Sequence, residues 1–181
     1  MNRSEVIELL AEYTTDENLL KHAYGVEAAM RAYARKFGEN EETWGCLGLI
    51  HDFDYQRHPY PEEHALKGAE ILEARGFPTE VVHAVRAHAG HAEPRSLMDK
   101  ALIAVDELVG FIVAVTLVKP NKSIDEVSVK SVKKKMKDKA FAKAVDRDQI
   151  IQGAEDMGVI VDEHIQLVMD AMTSVREDLG I

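Results

Sequence analysis

The sequence predicts an all-α fold, and three observations support this. Apolar residues recur at helical spacing along almost the whole chain; Leu19, Val26 and Met30, for example, fall on one face of a helix. Capping residues precede the apolar stretches, and glycines or prolines follow them. No run rich in Val, Ile and Thr alternates with period two between turn residues, and only residues 127–132 could be extended. A bundle of packed helices is therefore expected.

Caps and breaks divide residues 1–120 into six predicted helices. Glycines after an apolar stretch can adopt the left-handed backbone that ends a helix, and prolines lack the N–H that a continuing helix needs. The predicted starts are Ser4, Thr15 or Asp16, Asn40, Glu62, Thr79 and Ser96. The predicted ends, from the second helix onward, are Gly38, Phe53, Arg75, Gly90 and Lys119.

Residues 121–181 are expected to form a C-terminal helical extension packed on residues 1–120. Ser131, Asp146 and Asp162 are placed as N-caps of further helices, and Gly180 ends the last one. The last helix is amphipathic, so it can pack on the same chain or on a second copy, which leaves a homodimer open. A length of 181 residues favours one structural unit.

The composition excludes several classes of protein. Apolar residues make up 46% and charged residues 30%, which is typical of a soluble globular protein rather than a disordered one. The single cysteine, Cys46, excludes an internal disulfide and a Cys-rich zinc site. A net charge of -10 disfavours general binding of nucleic acid or anionic membranes unless basic residues cluster.

No secretion signal or membrane span is predicted. The N-terminus runs directly into a charged helical pattern. The apolar stretch 101–118 carries Asp106 and Glu107 near its middle, and each acid would cost about 2.5–3.5 kcal/mol at the centre of a bilayer. We therefore expect a buried helix and a cytoplasmic protein.

Histidines and acids at inward-facing helix positions predict a metal site. Seven of the eight histidines lie between residues 22 and 91. His22 shares a helical face with apolar residues, and Asp106 lies within the long apolar helix. His51 and Asp52 directly follow an apolar run. Buried charges persist when they are paired or bind a metal, and no Lys or Arg shares the face of Asp106. Two imidazoles and two carboxylates suit zinc, manganese, iron or nickel better than calcium.

The order of these residues, His22, His51-Asp52 and Asp106, resembles the HD-domain superfamily of metal-dependent phosphohydrolases. The resemblance covers about residues 15–120 and implies an HD-domain helical bundle, so residues 1–120 are expected to form an HD-type metal-binding domain. Small uncharacterised bacterial and archaeal HD hydrolases are similar, and they share the Lys-rich C-terminal part.

Two further segments resemble binuclear HD proteins. Residues 64–72 are similar to a His-Pro-x-x-Gly-x-x-Ile-Leu helix, although Ala65 replaces the proline. Residues 84–106 are similar to part of the small bacterial HD proteins that cleave diadenosine tetraphosphate. The resemblance implies that His64 and His88 hold a second metal and that Asp52 bridges the two ions. The cofactor is then one or two divalent ions of Mn, Fe, Ni, Co or Zn.

The catalytic detail departs from the family pattern. Many relatives read His-Asp-Ile-Gly-Lys or His-Asp-x-x-Glu, whereas residues 51–56 of this chain lack both the Lys and the Glu. We expect Asp54 to substitute as proton donor and Arg57 as phosphate clamp, with Asp52 as the central catalytic residue. The further candidates for phosphate contact are Lys67, Lys119, Lys122 and Lys130.

The resemblance implies a phosphohydrolase that acts on a small phosphoester or nucleotide through a metal-activated water. Two alternatives stay open: a di-iron HD oxygenase with the same ligands, and a non-catalytic regulatory module that binds metal or nucleotide. Nucleophilic Ser or Cys catalysis is not expected, because the corresponding motifs are absent. The expected partner is a small phosphorylated substrate rather than a nucleic acid.

Four other residues are assigned by their local context. His164 is expected at the surface, and His83 and His91 are expected to lie mostly outside the site. Glu107 is expected to form a salt bridge at the rim or to accept a hydrogen bond from a ligand histidine.

Seven lysines within residues 130–143 form the sharpest local change in composition. Apolar residues between them recur at helical spacing, which predicts an amphipathic helix with a cationic outer face. This face is either simply solvated or attracts a phosphate-rich substrate or a nucleic acid. No aromatic residue lies between residues 129 and 140, so a stacking platform for single strands is not indicated within that range.

Overall fold

The computed structural model describes residues 1–181 as ten α-helices, one short 3-10 helix and no strand. The predicted all-α fold is confirmed. The α-helices, α1 to α10 in chain order, are Arg3–Tyr13, Glu17–Phe37, Glu41–Ile50, Leu66–Ala74, Thr79–His88, Leu97–Leu117, Val129–Met136, Arg147–Asp156, Val161–Ser174 and Arg176–Leu179. The 3-10 helix is Ile124–Glu126.

Several helices begin at the predicted caps. Asp16, Asn40, Ser96 and Asp146 each accept hydrogen bonds from backbone N–H groups of the first turn that follows. Ser96 and the side chain of Asp99 form a capping box at the start of α6. These caps fix where the two longest helices, α2 and α6, begin.

Other predicted starts are wrong. Both α1 and α7 begin two or three residues earlier than predicted. Asn2 rather than Ser4 therefore caps α1, and Ser128 rather than Ser131 caps α7. Helix α9 starts at Val161, ahead of Asp162, and no side chain caps it. Helix α4 starts at Leu66 rather than near residue 62, since residues 51–65 form turns around the metal-ligand candidates.

Helices α2 and α6 form the centre of the bundle, and the other helices pack around them. Helices α3 and α9 pack on α2, and α5 and α8 pack on α6. A Cβ added at Gly48 would lie 2.9 Å from the backbone oxygen of Val26, so the glycine allows α2 and α3 to approach closely. This approach brings His22 of α2 near the end of α3. No helix has both the length and the apolar character needed to cross a bilayer.

The C-terminal residues contribute to the same hydrophobic core as the N-terminal ones. Ile150, Ile165 and Val168 are fully buried and contact core residues of the earlier helices. At Gly153 an added Cβ would lie 2.5 Å from the Cβ of Ala104, so α8 lies directly against α6. The Lys-rich segment is helical only as far as Met136, and residues 139–144 form turns, so the predicted longer helix is wrong.

His164 is buried in this core, so its expected surface position is wrong. Tyr33 Oη donates a hydrogen bond to His164 Nδ1 over 2.6 Å, and His164 Nε2 donates to the carbonyl oxygen of Ala104 over 3.2 Å. Burial lowers the pKa of His164 to about 4. Val168 and Ala171, four and seven residues further on, are also buried, and this periodicity was the available sequence signal.

Acid is expected to destabilise the protein through His164. Its pKa is lower in the folded than in the unfolded chain, about 4 against 6.5, so the unfolded chain binds more protons below about pH 6.5. The contribution of neutral, buried His164 to the free energy of unfolding is therefore fully present above about pH 6.5 and is lost as the pH falls toward 4. The free energy of unfolding of metal-free protein should fall by about 2 kcal/mol more between pH 7 and pH 5 than that of His164→Gln. Parallel pH profiles for the two proteins in denaturant titrations would contradict this.

Candidate metal centre

Five structural elements bring the six predicted metal ligands to one place. Helix α2 carries His22, the end of α3 carries His51 and Asp52, and α6 carries Asp106. The turns before α4 and the last residue of α5 carry the remaining two, His64 and His88. Their ligand atoms form two groups, within each of which all atoms lie within 4.8 Å of one another: His22, His51, Asp52 and Asp106; and Asp52, His64 and His88.

The first group is centred on Asp106. Its Oδ1 lies 2.8 Å from His22 Nε2 and 3.5 Å from His51 Nε2. Oδ2 of Asp52 lies 3.6 Å from His51 Nε2. Two consecutive helices, α2 and α3, and the distant helix α6 therefore direct two imidazole nitrogens and two carboxylates at one point.

The second group uses the other oxygen of Asp52. Asp52 Oδ1 lies 3.2 Å from His64 Nε2 and 3.1 Å from His88 Nε2. Because Oδ2 faces the first group and Oδ1 faces the second, one carboxylate is shared between the two groups. This arrangement suits a carboxylate that bridges two cations.

Hydrogen bonds to the chain orient the imidazoles. His51 Nδ1 donates to the carbonyl oxygen of Gly48 over 2.8 Å, and His88 Nδ1 donates to that of Val85 over 2.6 Å. A proton fixed on Nδ1 leaves a lone pair on Nε2, which is the form that binds a metal. The buried Nε2 of His51 has no hydrogen-bond partner. A cation between it and the carboxylates would satisfy this atom, so the residues present fit a bound metal.

Electrostatics in the centre favour cations. Burial alone would lower the pKa of His51, but Asp52 and Asp106 outweigh it and raise that pKa to about 9. At His64, burial also acts to lower the pKa, but Asp52 and Asp54 outweigh it and raise that pKa to about 10. Although burial would raise the pKa of Asp52 and Asp106, the histidines hold both well below the ordinary range. Protons and metal ions therefore compete for these imidazoles.

Asp54 lies behind His64 rather than in the cavity, so its position does not support the predicted role as proton donor. Its carboxylate is fully buried. Oδ1 accepts a hydrogen bond from His64 Nδ1 over 3.1 Å, and Oδ2 accepts from the backbone N–H groups of Ala65 and Gly68 over 3.0 and 2.9 Å. An added Cβ at Gly68 would lie 2.9 Å from the Asp54 carboxyl carbon. A carboxylate in this position orients a ligand histidine.

The backbone next to His64 is also held in place. Ala65 has a φ of 61°, in the left-handed region that non-glycine residues rarely adopt. The hydrogen bond from Ala65 N–H to Asp54 stabilises this conformation. His91 Nε2 donates to the carbonyl oxygen of His64 over 3.0 Å. His91 therefore supports the site through the backbone without offering a ligand atom to it.

The ligands lie at one side of an open cavity of about 370 Å³. The rest of its wall is formed by Tyr55, Ala89, Glu107, Gly110, Ala144 and Val145. Burial raises the pKa of Glu107 to about 7, and its Oε2 accepts a hydrogen bond from the backbone N–H of Asp146 over 3.0 Å. Neither predicted contact of Glu107, a rim salt bridge or a bond to a ligand histidine, is formed.

The sequence did not predict five of the cavity residues, namely Tyr55, Ala89, Gly110, Ala144 and Val145. Tyr55 lies three residues after Asp52, so its place near the ligands had a local signal. Ala144 and Val145 have none, because only the packing of the C-terminal segment on α6 brings them to the cavity.

None of the five candidates for phosphate contact lines this cavity. The guanidinium of Arg57 donates to the carbonyl oxygen of Glu12 and stacks over the ring of Tyr13. Lys67 Nζ pairs with Glu70 over 2.9 Å. The others, Lys119, Lys122 and Lys130, lie beyond the end of α6 or on α7.

Comparison with known proteins identifies the class of this helical bundle. The family model described as HD domain matches residues 19–110, which include all six candidate ligands. The chain therefore belongs to the HD-domain superfamily of metal-dependent phosphohydrolases.

The relatives found by comparison include several proteins named Ribonuclease Y. One from a Nitratiruptor species is 36% identical over 93 residues, which are 51% of this chain and 18% of that protein. One from Acholeplasma laidlawii is 31% identical over 109 residues, with 58% of this chain and 21% of that protein covered. One from Desulfotalea psychrophila is 28% identical over 176 residues, with 92% and 32% covered. The chain thus spans a third or less of each relative's length. No solved structure gives a significant match.

Proposed function

We propose that this protein is a metal-dependent phosphohydrolase that acts on a phosphoester or nucleotide. The observation that supports this best is the carboxylate of Asp52, which lies between two groups of ligand atoms and offers one oxygen to each. A pair of divalent cations, of Mn, Fe, Ni, Co or Zn, would lower the pKa of a water and neutralise negative charge on a phosphoryl group.

The residues of the chain would hold and order such a site. His22, His51 and Asp106 would hold one ion, and His64 and His88 the other. Hydrogen bonds at Nδ1 orient the imidazoles of His51, His64 and His88 before any ligand arrives, so little rearrangement of these three is needed on binding. The open cavity then leaves room for a phosphoester beside the ligand atoms.

Release of phosphate or nucleotide from a substrate panel tests this proposal. The panel contains phosphomonoesters, nucleotides, dinucleoside polyphosphates and short oligonucleotides, each with manganese, iron, nickel, cobalt or zinc. Metal-dependent release that is lost in His51→Ala/Asp52→Ala would support a phosphohydrolase. No release by protein shown to carry metal would contradict it. Iron-dependent oxygen consumption instead would indicate an oxygenase, and a metal-dependent rise in melting temperature upon nucleotide binding without turnover would indicate a regulatory module.

A further inference from the structure

Resting on the proposed phosphohydrolase activity, we propose that the substrate is a single-stranded oligonucleotide whose phosphate backbone lies on a lysine surface beside the metal centre. The lysine surface consists of the exposed side chains of Lys130, Lys133, Lys134, Lys137, Lys139 and Lys143. The net charge of -10 describes the whole chain, whereas these six cations lie close together in sequence and four of them line one depression.

Most of this positive charge is not neutralised within the chain. Lys133 Nζ pairs with Asp162 over 2.6 Å, and none of the other five lysines lies within 4.0 Å of an acid. Four of the six lysines surround one surface depression of about 630 Å³ together with Val129 and Asp162. Unpaired ammonium groups around a groove attract phosphates without selecting a base sequence.

The segment that carries the last of these lysines also forms part of the wall of the metal cavity. The segment 138–145 continues the chain from α7, and Lys143 directly precedes Ala144 and Val145, which line the cavity. Arg147 fixes this segment by donating hydrogen bonds to the carbonyl oxygens of Ala142 and Val145 over 3.2 and 2.7 Å. A phosphate held by Lys143 would therefore lie next to the residues that line the metal cavity.

The depth of the metal centre selects a single strand. The ligand side chains range from fully buried at His51 to 25% exposed at Asp106, so a phosphate must approach the floor of the cavity to reach them. A flexible strand can turn one phosphate into this cavity, whereas a duplex is too stiff and wide. Tyr55, 39% exposed in the cavity wall, offers a ring on which a base next to that phosphate can stack.

Binding of fluorescein-labelled oligouridylate of about twelve nucleotides, a length within the usual range of single-strand sites, tests the lysine surface. The test variant is Lys134→Gln/Lys137→Gln/Lys143→Gln. The control is Arg35→Gln/Lys36→Gln, which removes cations that line a different depression. We expect the test variant to bind about tenfold more weakly or worse and the salt dependence of log Kd to decrease by about 2, because three phosphate contacts are lost. The control should bind like the wild type.

Measurements of hydrolysis and of binding by other polyanions complete the test. The ratio of kcat/KM for the oligonucleotide to that for a mononucleotide should fall in the test variant and stay constant in the control. An unchanged salt slope, or binding of polyglutamate or duplex of equal charge as tightly as the strand, would overturn the proposal. If the wild type hydrolyses no phosphoester, the proposed function fails, while the binding measurements still decide whether the lysine surface holds a strand.

Discussion

Replacement of Asp52 by Ala is expected to remove metal from both ligand groups and to reduce turnover by about a thousandfold or more. Asp52 gives Oδ2 to the group around Asp106 and Oδ1 to the group around His64 and His88. Its loss leaves the second group with two imidazoles and no carboxylate, and it also removes one of two carboxylates from the first. Metal content after dialysis and phosphate release on the best substrate of the panel measure the two effects.

A surface carboxylate provides the matched control for this change. Asp170→Ala removes an exposed acid of α9 whose carboxylate accepts a hydrogen bond from Gln166 and lies in no ion pair. It should keep the metal content and the activity of the wild type. Asp52→Asn preserves the shape of the side chain, so it separates loss of charge from loss of packing. Asp52→Ala protein that keeps two ions and full turnover would contradict the assignment of the centre.

Replacement of Asp54 by Asn is expected to weaken the second metal site selectively, by about 10- to 100-fold. The asparagine oxygen can take the place of Oδ2, which accepts from Ala65 and Gly68, but its NH₂ group then faces His64 Nδ1. That nitrogen must accept a hydrogen bond, so the imidazole proton moves to Nε2 and the lone pair that binds metal is lost.

Calorimetric titration with the preferred metal distinguishes this effect from general damage. One binding step should weaken in Asp54→Asn, while the step assigned to His22, His51 and Asp106 should keep its affinity. Asp99→Asn is the matched control, because Asp99 is also buried, contacts His83 Nδ1 at 3.1 Å and accepts from the backbone N–H groups at the start of α6. Equal weakening of both steps, or none, would show that Asp54 does not act through His64.

The sequence by itself determined the helical architecture and which residues could bind metal. Apolar spacing and local caps such as Asp16 and Ser96 act within one or two turns, so they can be read without the rest of the chain. The inward-facing positions of His22 and Asp106 follow from the same periodicity. The two histidines of the second group came from the resemblance to binuclear HD proteins, since local pattern does not distinguish them from other histidines.

The tertiary structure alone decided how distant residues act on one another. Asp54 faces His64 because the turns between α3 and α4 reverse the chain, and His164 bonds to Tyr33 and Ala104 because α9 packs against α2 and α6. Ala144 and Val145 line the cavity because the segment before α8 folds back onto α6 through the contact between Glu107 and Asp146. These contacts join residues ten to more than a hundred positions apart, and they depend on packing, which short-range spacing does not encode.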